Sequence, residues 1–166
     1  MQNKLLILSM ILLLFGGCDG IGDDKLGKSV AVFASQRDDF NEAKELIKAL
    51  AATEGISGIL VGALYNDTPA RVRYSRETPF PVEPVTAISL KDLQSKAKLE
   101  RLQAIARKLS CEEVTIDKSG QVRIIIFAGR NTDYGYEFFD RSQRQAPKHE
   151  DYLTIPGEEE WYAFRR

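Results

Sequence analysis

Cysteine and histidine are scarce in this chain of 166 residues, which has two cysteines, Cys18 and Cys111, and one histidine, His149. Two cysteines give no disulfide framework, and one histidine excludes a metal site built on two histidines of the same chain. The net charge of −1 leaves no basic excess for nucleic acid. Phosphate-cradling glycine motifs, the nucleophile elbow and zinc-type cysteine spacing are also missing. We therefore expect no metal, no cofactor and no nucleic-acid partner.

The chain also lacks a hydrophobic run long enough to be typical of a membrane span. Its longest apolar run is near the start and is short. Residues 1–4 include Lys4, residues 5–15 are apolar, and Gly16-Gly17-Cys18 follows, which is the order of a signal peptide. As a helix, residues 5–17 would reach only about 20 Å, against about 30 Å of hydrocarbon in a bilayer. A signal peptide over residues 1–17 is therefore favoured over a membrane span.

The end of that segment, Leu14-Phe15-Gly16-Gly17-Cys18, resembles the lipobox of bacterial lipoproteins, with Phe15 at a position where Leu is usual. In that family small residues precede a cysteine that is acylated before cleavage. The resemblance implies lipid on Cys18 and a head anchored to a bacterial cell membrane, facing the periplasm. Asp19 resembles the signal for retention in the inner membrane. Residues 18–28 then form a flexible, lipidated tether, and residues 29–166 a single domain.

Apolar residues at helical spacing predict two helices. Within residues 29–54, Phe33, Phe40 and Ile47 recur every seven positions, and Gly55 is a natural stop. A start near Gln36, with residues 30–34 extended before it, is the alternative. The second helix begins near Ser89, with Leu90 and Leu93 off its main stripe, so a bend or a second contact surface is expected near Ala97. The stripe itself contains Leu99, Leu102, Ile105, Ala106 and Leu109.

Strand patterns account for most of the rest. Residues 56–64 and 70–75 read as a hairpin, whereas prolines make residues 77–88 an extended crossing that is unsuited to a central strand. Residues 114–116, 122–127, 134–139 and 161–164 are further strands, with a turn at Asp117-Lys118-Ser119-Gly120 between the first two. The apolar run at Ile124 predicts a central strand covered on both sides, or at least a short buried strand. The order α-β-β-α-β-β-β-β indicates an α+β domain with an antiparallel sheet packed by two helices.

Three short motifs carry a second resemblance: Phe33-x6-Phe40, Gly135-Tyr136-Glu137-Phe138 and Trp161-Tyr162-Ala163-Phe164. They resemble features of small, uncharacterised proteobacterial lipoproteins with a Gly-Tyr strand and a closing Trp-Tyr pair. The resemblance covers most of the chain after the tether and supports the α+β fold. It implies no particular activity.

Two segments are candidates for recognition. The long connection over residues 140–160 combines cations with aromatic and apolar residues, and long loops on rigid scaffolds often carry function. Its alternative is a connector whose apolar residues fold back on the sheet edge. The other candidate is a row of arginines on one strand, for which a solvated, charge-guarded edge strand is the alternative. The candidate interaction residues are Arg141, Arg144, Lys148 and Tyr152 in the loop, and Arg71, Arg73 and Arg76 in the row.

Candidate catalytic groups are few. Cys111 lies between a helix and a strand where a small buried residue fits, and no base is indicated beside it. His149 adjoins Glu150 and Asp151, but neighbouring residues rarely converge on one ion, so a solvated loop is favoured. An aromatic set near the C-terminus suits either a ligand groove or core packing, the second being favoured: Tyr136, Phe138, Trp161 and Tyr162.

These patterns together predict a non-enzymatic envelope lipoprotein whose head binds another protein, as an inhibitor or an immunity-type factor does. This prediction is based on a small folded head, attached by a tether, in which no set of catalytic residues is evident. The alternatives are a structural or assembly accessory of the envelope, and a hydrolase whose site the sequence does not reveal.

Overall fold

The computed structural model describes residues 23–61, 70–74, 82–84, 89–91, 93–128, 133–140 and 152–165. The first part of the chain forms helix α1 (Asp23–Glu54) and strands β1 (Ile56–Leu60), β2 (Arg71–Tyr74) and β3 (Val82–Pro84). Helix α2 (Leu93–Lys108) follows, and then strands β4 (Glu113–Ile116), β5 (Val122–Ala128), β6 (Asp133–Phe138), β7 (Tyr152–Thr154) and β8 (Trp161–Arg165).

Helix α1 is one long helix with a kink. It begins at Asp23, earlier than the periodicity indicates and inside the stretch that we expected to be tether. Gln36 has non-helical dihedral angles, φ −128° and ψ 20°, at the position where the alternative start was placed. An extended segment over residues 30–34 is therefore wrong. The rings of Phe33 and Phe40, one on each side of the kink, stack with their centroids 4.8 Å apart.

The end of α1 agrees with the local sequence signal. Gly55 has φ +72°, a conformation that glycine adopts without strain, and its amide donates to the carbonyl of Ala51 at 3.1 Å.

The predicted start of the second helix near Ser89 is wrong. Helix α2 begins at Leu93, because the backbone amide of Lys91 donates to the Glu54 carboxylate at the end of α1 and residues 89–91 are not helical. The stripe of α2 is buried as predicted. Leu93 is 84% exposed and Ala97 is exposed too, so a second contact surface at Leu93 is wrong, whereas Leu90, just before α2, packs partly buried against the core.

The strands form one eight-stranded sheet in the order β3-β2-β1-β4-β5-β6-β8-β7. All pairings are antiparallel, which confirms the α+β class with an antiparallel sheet and two helices. The element order differs from the predicted one by β3 and β7, both of three residues. Strands this short offer too few residues for a pattern of alternation to be recognised.

The two unpredicted strands are the edges of the sheet. Because β3 pairs with β2, the interpretation of β2 as an edge strand is wrong. Pro84 suits β3, since an edge strand tolerates a residue that cannot donate to the ladder. Strand β7, within the predicted connection, pairs with β8, and Ile155 just after it is 2% exposed. This segment therefore folds back on the sheet edge, the alternative given for it.

One face of the sheet packs on the helices, and we call it the inner face. Helix α1 contacts β1, β4, β8 and α2, and the side chains between them form the main core cluster. The strand register shows how the sequence builds this face, because cross-strand neighbours share a face. One continuous row of partners is almost wholly buried: Val72, Ile59, Val114, Ile124, Tyr136 and Ala163.

The aromatic residues of the C-terminal strands belong mostly to this core. Tyr136 and Trp161 pack against Phe33 and Phe40 with centroid separations of 4.5 to 6.1 Å. The indole Nε1 of Trp161 donates to Asn41 Oδ1 at 3.0 Å, so its polar atom is satisfied. Core packing is thus confirmed for Tyr136, Trp161 and Phe138, whereas Tyr162 projects from the opposite face.

Candidate functional site

The face of the sheet turned away from the helices, the outer face, changes in character from one edge to the other. Its residues are the partners that alternate with the inner row. One row of partners consists of Arg73, Gly58, Thr115, Arg123, Glu137, Tyr162 and Thr154. The next consists of Arg71, Leu60, Glu113, Ile125, Gly135, Phe164 and Tyr152. Each row has an arginine on β2, whose partner on the edge strand β3 is Val82 or Pro84, and toward the other edge the rows reach Tyr162, Phe164 and Tyr152 on β8 and β7.

A fully buried carboxylate lies near the middle of this face. Glu137 on β6 is 0% exposed, and its Oε1 accepts from Arg123 Nε at 3.1 Å and Nη2 at 2.7 Å. The side-chain amide of Gln121 donates to the same oxygen, and the hydroxyl of Tyr152 donates to Oε2. Donors from β5, β7 and the β4–β5 turn therefore converge on Glu137. A buried carboxylate is tolerated when it is paired and hydrogen-bonded in this way.

A second ion pair lies on the same face, closer to β2. Arg73 Nη1 on β2 is 2.9 Å from Glu113 Oε1 on β4, across β1. Burial raises the pKa of Glu113, and the attraction of Arg73 and Arg123 opposes that rise. The pair therefore fixes the direction of the Arg73 side chain by means of a carboxylate that is itself mostly covered.

A depression opens between these two ion pairs. Its volume is about 190 Å³. Its lining residues are Ser57, Arg73, Thr115, Ile116, Asp117, Gln121, Arg123 and Glu137. Gly58 and Thr115 stand between Arg73 and Arg123 in the register, so small residues separate two long ones. A Cβ on Gly58 would meet Thr115 Cγ2 at 2.9 Å, which shows that no further side chain fits there.

The β4–β5 turn closes one end of the depression. Asp117 Oδ1 accepts from the backbone amides of Ser119 at 2.8 Å and Gln121 at 3.1 Å, and Gly120 has φ +78°. This is the turn that the Asp-Lys-Ser-Gly sequence predicts. It positions Gln121 to reach Glu137, so a local turn signal supplies one member of the buried network.

The opposite end of the outer face is apolar and aromatic. The ring of Phe139 meets those of Tyr152 and Tyr162 edge-on at 5.8 and 5.5 Å, and Tyr152 also contacts Phe164 at 6.2 Å. The guanidinium of Arg123 lies 5.6 Å from the centroid of the Phe164 ring. Arg123 thus joins the charged part of the face to its aromatic part.

The structure places three of the residues predicted from sequence on the outer face, but not in one group. Arg71 and Arg73 lie at one end of the outer face and Tyr152 near the other. The remaining predicted positions fall outside the described residues: Cys18, Arg76, Arg141, Arg144, Lys148 and His149. The prediction missed Arg123, Glu137 and Glu113, whose signal is a charged residue at alternate positions within otherwise apolar strands.

Cys111 belongs to the other side of the sheet. It lies in the main core cluster, 3% exposed, and burial raises the pKa of its thiol to about 12. Its backbone amide donates to the carbonyl of Ala106 at 3.0 Å, just after α2. A thiol that is buried and protonated at neutral pH is not a nucleophile. The prediction that Cys111 is a small buried residue is confirmed.

Two further findings concern the part of the chain that the structure describes. It brings together no group of three or more His, Cys, Asp or Glu side chains placed to hold a metal ion. Neither of its helices combines the length and the apolar character that crossing a bilayer requires.

Comparisons of the chain with protein-family models, with curated proteins and with solved structures found no match.

Proposed function

We propose that this chain is a lipoprotein of the bacterial envelope, anchored through lipid on Cys18, whose folded head binds another protein through the outer face of its sheet. The observation that supports binding is the arrangement of that face. Charged side chains from separate strands are held in place by ion pairs beside a depression, within reach of a partner. Arginine and tyrosine are enriched where proteins recognise one another.

Binding suits this face better than catalysis for a physical reason. General acid–base work needs a group that exchanges protons with a substrate. Glu137 is 0% exposed, and both of its oxygens accept hydrogen bonds from neighbouring side chains. Such a carboxylate orients its neighbours rather than contacting a substrate. The thiol of Cys111, the one nucleophile considered from the sequence, lies in the core on the other side.

The partner that this face suits has an acidic surface. On β2, the strand next to the edge strand β3, Arg71 and Arg73 project to the outer face. An inhibitor or immunity-type factor works by covering a partner's surface, and opposite charges direct such an encounter. The role proposed for the head is therefore to cover an acidic protein surface close to the membrane.

The experiment is capture of the partner from detergent-solubilised membranes with the full chain as bait. The double variant Arg71→Glu with Arg73→Glu reverses the charge of the two β2 arginines. The double variant Lys96→Glu with Arg107→Glu makes the same change in charge at exposed positions of α2 and serves as the matched control.

We expect one or a few proteins to be retained at physiological salt by the chain and by the α2 control, and to be lost with the β2 variant. Equal capture by both double variants, or no protein retained by any bait, would refute the outer face as a binding surface. A captured set of envelope scaffold proteins that depends on the β2 arginines would instead indicate an assembly accessory.

A further inference from the structure

We infer that the depression between Arg73 and Arg123 is a carboxylate-binding subsite, which receives the acidic side chain of an aspartate or glutamate of the protein partner. The inference deepens the proposed function and rests on it for the source of the carboxylate. The existence of the subsite is a separate claim, and small carboxylates test it directly.

The spacing of the strands places two guanidinium groups on opposite sides of one gap. Arg73 on β2 and Arg123 on β5 are separated by β1 and β4, so their Cα atoms are about 14 Å apart at ~4.8 Å per strand. Only Gly58 and Thr115 stand between them in the row, and both arginines line the depression. The two long side chains therefore border one low floor, each held by its own carboxylate.

The size of the gap selects a small group. At about 190 Å³ the depression is below the roughly 300 Å³ at which pockets for drug-sized ligands begin. It is nevertheless large enough to hold several water molecules, which a carboxylate can replace while keeping their hydrogen bonds. The tip of one acidic side chain fits this volume, and a nucleotide or a sugar chain does not.

The expected charge of the ligand follows from the exposure of the charged side chains around the depression. The side chains of Arg73 and Arg123 are 38% and 35% exposed, whereas those of Glu113 and Glu137 are 19% and 0% exposed. The carboxylates therefore lie below the guanidinium groups. A third carboxylate, that of Asp117, also lines the depression and is exposed, but its Oδ1 already accepts hydrogen bonds from the backbone amides of Ser119 and Gln121. The charged N–H donors offered to a ligand there belong to the two arginines, which favours an anion.

Both arginines are held in place before a ligand arrives. Arg123 uses Nε and Nη2 to hold Glu137, and Arg73 uses Nη1 to hold Glu113. A guanidinium group has five N–H donors, so each arginine keeps donors beyond those in its ion pair. Side chains that are already ordered lose less entropy on binding than free ones, which strengthens a small contact.

The test is a titration of the isotope-labelled full chain in detergent with glutarate, followed through the side-chain Nε–Hε signals of arginine in NMR spectra. Ionic strength is kept constant with chloride. Inorganic phosphate and 1,5-diaminopentane are titrated in parallel. We expect saturable shifts of the Arg73 and Arg123 signals with glutarate, weaker binding of phosphate, and none with the diamine.

Variants assign the shifts to the depression. Arg73→Gln and Arg123→Gln should each weaken glutarate binding roughly tenfold, since each removes charge-assisted hydrogen bonds. Thr115→Leu fills the floor without changing any charge and should weaken binding at least as much. Arg107→Gln on α2 removes the same charge elsewhere and should leave binding unchanged. Thermal unfolding of each variant is measured to check that the variant is folded.

The outcomes separate the two proposals. If glutarate gives no saturable shift, or if Thr115→Leu binds as well as the unchanged chain, the subsite is refuted even when the β2 arginines still capture a protein. If phosphate binds tenfold more tightly than glutarate, or the diamine binds instead, the carboxylate assignment is wrong. If glutarate binds at the depression but no protein is captured, the subsite stands and the protein partner is refuted.

Discussion

Replacing Glu137 by glutamine tests whether burial makes its ion pair important for stability. The substitution keeps the shape of the side chain and removes its charge. It also presents an amide N–H₂ group to Arg123, Gln121 and Tyr152, which all donate to the carboxylate. Donors that lose their acceptor in a buried place are costly. We therefore expect a loss of stability although no volume is lost.

The size of the loss follows from the exposure of the two partners. Breaking a fully buried pair costs about 3–5 kcal/mol, but Arg123 is 35% exposed and regains part of its hydration. We expect Glu137→Gln to lower the free energy of unfolding by about 2–3 kcal/mol. At ~2–4 °C per kcal/mol for a domain of this size, the midpoint of thermal unfolding should fall by roughly 5–10 °C.

The control is a pair with better geometry and less burial. Arg101 on α2 donates from Nε and Nη2 to the two oxygens of Glu42 on α1, both at 2.7 Å, and these side chains are 55% and 40% exposed. This arrangement lowers the pKa of Glu42. Exposed pairs contribute little because solvent screens them. Glu42→Gln should therefore cost less than a third of what Glu137→Gln costs.

Urea unfolding followed by tryptophan fluorescence measures both losses, because Trp161 is the only tryptophan and is 2% exposed. The slope of the free energy against urea should be the same for all three proteins. Equal losses for the two variants would contradict the reasoning, since burial would then not distinguish the two pairs. A Glu137→Gln protein as stable as the unchanged chain would refute a stabilising role of the buried ion pair.

Further predictions concern the core, the sheet and the membrane. Burial raises the pKa of Cys111 to about 12 from 9.0, so the folded state keeps a proton that the unfolded state loses, and stability falls as the pH rises above about 9. In a Cys18→Ser background, Cys111→Ala should therefore lose about 1 kcal/mol less than its parent between pH 7 and pH 10 in urea unfolding, and an equal loss would count against a buried thiol. Gly135→Ala places a Cβ 2.0 Å from the backbone oxygen of Ile124 and should cost about 3 kcal/mol or more or prevent folding; a stable variant would show that β5 and β6 approach less closely. Cys18→Ser should leave the precursor uncleaved and unlipidated by mass spectrometry, and a processed form that still sediments with membranes would remove the lipoprotein proposal.

Sequence patterns predicted the parts of this fold that depend on local periodicity. The inner stripe of α2, the stop at Gly55 and the turn at Asp117 each follow from a few neighbouring residues, and the structure has all of them. The run at Ile124 indicated a central or at least a buried strand, and β5 lies inside the sheet with Ile124 and Ile125 0% and 8% exposed. Each of these features is determined by residues that are close together in the sequence. Cover on both sides is not found in the described residues, where both helices pack on the inner face.

The features that the sequence did not reveal depend on contacts between distant segments. Edge strands β3 and β7 are too short to show alternation and exist because β2 and β8 pair with them. Arg73 and Glu113 are far apart in the chain and meet across β1. Glu137 looked like part of a Gly-Tyr strand motif, and only the register shows that Arg123 lies beside it. A candidate site assembled from five strands cannot be recognised before the strand order is known.

The strict alternation along the central strands has a consequence for how this domain can diverge. Val114 and Thr115, Val122 and Arg123, and Tyr136 and Glu137 are adjacent in the chain, yet the first of each pair packs in the core and the second faces outward. Substitutions at every other position can therefore change the charge and shape of the outer face while the helix-facing layer is retained. Such a fold can keep one interior under very different outer surfaces.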